Sequence, residues 1–143
     1  MENYLPYLGI KTVSLIEIPQ LIDSEFSEAI NHINDAWKQY SMGEYHRVLS
    51  DCRKALESLS AKVKSEGYET SDEKDKVLPD WSKFLGDSEL GDIVGTINKK
   101  LFRFASPGSH TGRSINKEDA DFILMSTHAM ANLIINKFSE NRE

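Results

Sequence analysis

A single cysteine, Cys52, stands in the 143 residues, so the chain has no internal disulfide framework to lean on. Its place on an apolar helical stripe reads as a small core residue rather than a nucleophile or ligand, and a reducing compartment suits it. Long hydrophobic runs are missing too. No apolar stretch reaches the roughly 18 residues that a membrane span needs, and MENYLPYLGIKTVSLIEIPQ has no basic segment ahead of an apolar run. A soluble, cytoplasmic protein with no membrane partner is the expectation. CxxC, HExxH, Walker and GxGxxG patterns are all absent, which leaves zinc hydrolysis, P-loop nucleotide binding and dinucleotide redox chemistry without support. No metal and no cofactor are expected. Basic charge is scarce as well: Lys+Arg 17 against Asp+Glu 23 gives a net charge of −6, which excludes a broad basic face coating nucleic acid through many phosphates.

Helical periodicity is what the chain has in quantity. Apolar residues at Phe26, Ala29, Ile30, Ile33, Trp37 and Tyr40 predict a first helix with Ser24 as N-cap and Gly43 as its stop. Tyr45, Val48, Leu49, Cys52, Leu56, Leu59 and Val63 predict a second that ends near Gly67, with Arg47, Asp51, Lys54, Ser58 and Lys62 outward. The short connection at Met42 and Gly43 makes the two antiparallel, stripe facing stripe. Residues Tyr68 to Lys76 show no period and read as an exposed, mobile loop. Pro79 then reads as part of a first helical turn, ahead of a short helix with Trp81, Phe84 and Leu85 that Gly86 stops.

A further helix from about Ser88 is expected to turn Leu90, Ile93, Val94, Ile97, Leu101 and Phe102 inward and to fail at Pro107-Gly108. Gly91 and Gly95 read as isolated glycines within it. Asn116, with Glu118 and Asp119 behind it, opens a last helix that runs to about Phe138 and is apolar nearly all round. A helix of that kind is either central in its own bundle or shared with a second subunit, and a homodimer is expected. The fold class is therefore all-α: an antiparallel bundle of four to five helices over residues 24–143, preceded by an N-terminal arm over 1–23. Within the arm KTVSLIEI could form a short strand, but no partner strand stands out, so an extended or docking segment is the expectation.

The charges are unevenly placed. Between Ile93 and Lys117 lie Lys99, Lys100, Arg103, Arg113 and Lys117 and not one Asp or Glu. Inside this island is the run Arg103-Phe-Ala-Ser-Pro-Gly-Ser-His110. A guanidinium can hold a phosphate and an imidazole can move a proton, the two parts needed to cut RNA without a metal. The plainer reading is that Lys99, Lys100 and Arg103 sit at a helix C-terminus, where the dipole favours cations. His32 and His46 read as surface residues, and His128 as a partly buried, hydrogen-bonded histidine. Ser106, Ser109 and Ser114 lack an acidic residue in the island to orient a base, which discounts a serine nucleophile.

The hairpin carrying YHRVLSDCRKALESLSAKV, the acidic loop, and the closing LFRFASPGSHTGRSINKEDADFILMSTHAMANLIINKF together resemble the HEPN superfamily, small all-helical domains of many prokaryotic toxins and abortive-infection proteins. The resemblance spans roughly Ser24 to Phe138. It implies a homodimer in which an arginine and a histidine separated by four to six intervening residues line a shared cleft, and a metal-independent endoribonuclease in active members. Arg103 would then bind phosphate and His110 would act as acid or base. The other cations of the island, Lys99, Lys100, Arg113 and Lys117, are expected from their charge, not from the resemblance, as RNA contacts. Other relatives act only as binding or dimerisation modules, beside an antitoxin or within a larger defence protein. Three readings follow: an RNA-binding nuclease, a non-catalytic module for a protein or nucleotide, and a purely structural helical dimer.

Overall fold

Two helices joined at Gly43 form the frame: α1, Ser27–Ser41, and α2, Tyr45–Ser65. The computed structural model describes residues 25–106 and 114–141, so the arm over 1–23, Ser24, His110 and Arg113 lie outside the described residues. Gly43 takes φ +75°, a left-handed conformation that side chains resist, and the chain reverses there. The stripe of α2 is buried as its spacing predicts, through Val48, Leu49, Cys52, Leu56, Leu59 and Val63, with Ala55 beside them. In α1 the core positions are Ala29, Ile30, Ile33 and Ala36, while Trp37 and Tyr40 are only half-buried at its edge. Phe26 precedes the helix, is buried, and sets its ring edge-on to Phe138 with centroids 5.0 Å apart.

The acidic segment after α2 is not a structureless loop. Strands β1, Glu69–Ser71, and β2, Val77–Pro79, pair antiparallel in the register Glu69↔Pro79, Thr70↔Leu78 and Ser71↔Val77. Turn chemistry does this without a buried face. The Asp72 carboxylate accepts from the backbone N–H of Lys74 and of Lys76, each at 2.8 Å, and the Asp72 N–H donates to the Lys76 carbonyl at 3.0 Å. Tyr68 anchors the hairpin on the core by packing on Phe84, with ring centroids 5.2 Å apart. Pro79 accordingly ends β2 instead of entering a helix. Asp80 caps the short α3, Trp81–Leu85, by accepting from the Lys83 N–H at 3.1 Å.

Helix α4, Ser88–Ala105, is rotated from the expected orientation. Asp87 caps it by accepting from the Glu89 and Leu90 N–H groups, and its buried face is Gly91, Val94, Leu101 and Ala105. Ile93 and Ile97, expected inward, stand 54% and 41% exposed. The two glycines are the reason. A Cβ at Gly91 would collide with Ser82 of α3, and one at Gly95 would come within 3.1 Å of the Trp81 ring. Lacking side chains one turn apart, α4 accepts α3 along this line, and Asn98 donates to Ser60 of α2 at 3.3 Å. The isoleucines are turned to the other side.

Helix α5, Lys117–Asn141, closes the bundle. Asn116 and Asp119 cap it reciprocally: the Asp119 N–H donates to Asn116 Oδ1 at 2.9 Å, and the Asn116 N–H donates to Asp119 Oδ2 at 3.2 Å. Ten of its residues are buried, mainly against α2 and α1, from Ala120 and Leu124 to Ile135 and Phe138. Phe122 and Met125 are left 68% and 46% exposed. The described residues thus form a mostly helical bundle with one two-stranded sheet. No described helix is long and apolar enough to cross a membrane.

Candidate functional site

Arg103 occupies the last turn of α4, which closes when the Ser106 hydroxyl donates to the Phe102 carbonyl at 2.7 Å. The Arg103 side chain is exposed. Helices α4 and α5 touch each other less than either touches α2, and a groove of about 870 Å³ opens between them. On the α4 wall stand Ile97, Lys100, Arg103 and Phe104; on the α5 wall stand Glu118, Asp119, Phe122 and Ser126. Arg103 and Lys100 are therefore brought together, three residues apart on one helix face.

The other expected contacts divide. Lys99 faces away, into a hollow of about 270 Å³ with Asp80, Trp81 and Asp92, and does not join Arg103. Lys117 is exposed in the first turn of α5 and does not line the groove. His110 and Arg113, expected as acid or base and as RNA contact, lie outside the described residues.

The electrostatics of the groove were only half legible in the sequence. Glu118 and Asp119 read as charges suited to a helix N-terminus, and nothing in their spacing says that they face Lys100 and Arg103 across an apolar floor. Phe122 was likewise one of several residues on neighbouring faces. The signal that pointed to it was the all-round apolarity of α5. Chemically, the site offers guanidinium and ammonium donors for phosphate or carboxylate, two aromatic rings, and an opposing carboxylate.

The remaining reactive groups are structural. Cys52 is fully buried, and burial pushes its thiol up to about 12, so the reactive thiolate is suppressed. His128 is buried and accepts a hydrogen bond at Nδ1 from the Trp37 indole N–H at 3.3 Å, a hydrogen-bonded core histidine. His32 Nε2 lies 3.9 Å from Glu28 in a polar hollow of about 730 Å³ between α1 and α2. In that hollow Lys62 pairs with Glu25 and Glu66, and the hydrogen bond to Glu25 raises its ammonium above the usual value. Among the described residues no three His, Cys, Asp or Glu side chains converge as metal ligands. Comparison with protein-family models, with curated proteins and with solved structures returns no match.

Proposed function

We propose that the protein is a HEPN-like homodimer that binds RNA where α4 gives way to α5 and cleaves it without a metal, as a toxin or phage-defence ribonuclease. The observation that carries this reading is Arg103: exposed, beside Lys100, on the last turn before the segment that holds His110 and Arg113. In this reading Arg103 neutralises the scissile phosphate and His110 takes the ribose 2′-hydroxyl proton. The 2′-oxygen attacks phosphorus, the bond to the 5′-oxygen breaks, and that oxygen is protonated as it leaves. The products are a cyclic phosphate and a free 5′-hydroxyl. In this reading Lys99, Arg113 and Lys117 serve as further RNA contacts. Cleavage of RNA in excess chelator that disappears in Arg103→Ala and His110→Ala supports it. RNA left intact at high protein concentration overturns the nuclease.

A second reading is favoured by Glu118 and Asp119, whose charge opposes an RNA path through the same groove. In it the protein is a non-catalytic dimerisation or interaction module that docks a protein partner such as an antitoxin, or a nucleotide. Expression in bacteria separates the two. Growth arrest relieved by His110→Ala belongs to the nuclease, and harmless expression with retained partner binding belongs to the module.

A further inference from the structure

The groove has walls of opposite charge and an apolar floor that continues along both helices. On α4, Ile93, Ile97, Lys100 and Phe104 recur at three- and four-residue spacing; on α5, Glu118, Phe122 and Met125 do the same. Four large apolar side chains, Ile93, Ile97, Phe122 and Met125, stand more than two-fifths exposed along these lines. A patch rimmed by charge in this way marks an interaction surface. Among the described residues Lys100, Arg103 and Glu118 make no ion pair within the chain, although both signs line one groove. Lys100 and Arg103 facing Glu118 without an ion pair among the described residues fit a partner with the same arrangement turned over.

We infer that the occupant is a second copy of this chain, seated so that Lys100 and Arg103 of each subunit face the partner's Glu118. This rests on the dimer in the reading above and gives its geometry. Arg103, in the last turn of α4, and Glu118, in the first turn of α5, stand at the same end of the groove on opposite walls. A two-fold axis running along the groove lays α4 of one copy over α5 of the other, so that the basic wall meets the acidic wall twice and the apolar lines meet between them. An axis across the groove would set α4 on α4 and bury the cations against isoleucines, which costs desolvation without a counter-charge. The arrangement also sets a competition. Each Arg103 reaches phosphate only by giving up the partner's carboxylate, so subunit pairing and RNA binding draw on one guanidinium.

Sedimentation equilibrium of the full chain tests this with four proteins. Wild type is expected to be dimeric. Glu118→Lys places like charges in two symmetric contacts and is expected to weaken association about tenfold or more, as is the paired reversal Lys100→Glu with Arg103→Glu. Combining all three reversals restores the complementarity and the dimer, a rescue that no folding defect would produce. A monomeric wild type overturns the inference, and so does a dimer that all the reversals leave intact. RNA binding by wild type, measured separately by filter retention, tells whether the RNA reading fails while the interface stands.

Discussion

The Trp37 indole N–H donates to Nδ1 of His128 at 3.3 Å, tying the outer end of α1 to the middle of α5 across 91 residues of sequence. Indole is a donor only, so Nδ1 must carry a lone pair and the imidazole proton sits on Nε2. The rings also meet edge-on, centroids 6.0 Å apart. His128→Leu keeps the volume and removes the acceptor, leaving a half-buried N–H unsatisfied. A loss of about 1–2 kcal/mol in urea unfolding is expected. The double variant with Trp37→Phe should lose less than the sum of the two single changes, because the orphaned donor is gone.

Gly91→Ala is a sharper test of the packing. Alanine favours an isolated helix over glycine by about 1 kcal/mol, yet here its Cβ would collide with Ser82 backbone atoms that cannot swing aside. The clash is expected to win, with a net destabilisation of about 1–3 kcal/mol. Gly95→Ala meets only the edge of the Trp81 ring, at 3.1 Å, and should be close to neutral. Chemical denaturation followed by tryptophan fluorescence reads both.

Cys52 predicts an alkaline limit to stability. Burial raises its thiol from 9.0 to about 12, so between these values the native chain keeps a proton that the unfolded chain has released. The unfolded state then binds fewer protons, and stability present below pH 9 is lost as pH rises towards 12. Lys62, raised by its bond to Glu25, acts with the same sign but is unchanged by a substitution at Cys52. Cys52→Ala should therefore show a shallower fall in stability above pH 9 than wild type. Thiol reagents at neutral pH should modify the wild-type chain only as fast as it unfolds.

Arg103→Ala should leave thermal unfolding of the separated subunit, followed at concentrations below those of subunit association, within about 0.5 kcal/mol of wild type, since the side chain is exposed and makes no ion pair within the chain among the described residues. Any loss of RNA binding is then a loss of the contact and not of the fold. Lys99→Ala, altered on a different face, should weaken RNA binding less than Lys100→Ala if the groove is the RNA site.

Local rules settled most of the helices. The stripe of α2, the stops at Gly43, Gly67 and Gly86, and the Asn116 start of α5 all follow from short-range physics: apolar spacing on one face, left-handed backbone where glycine removes the steric cost, and side chains that satisfy free N–H groups. The β1–β2 hairpin escaped that reading because both its faces are largely exposed, so no alternation records it; the Asp72 turn shapes it and the Tyr68 ring anchors it.

What tertiary structure alone decided is the orientation of α4 and the contents of the groove. Ile93 and Ile97 have the spacing of core residues, and periodicity cannot say which of two apolar faces a helix will bury. That choice was made by Gly91 and Gly95, where missing side chains admit Trp81 and Ser82 more closely than any isoleucine face allows. The same rotation put Lys100 and Arg103 opposite Glu118, a meeting of residues that the chain keeps on two separate helices and that only packing brings to one groove.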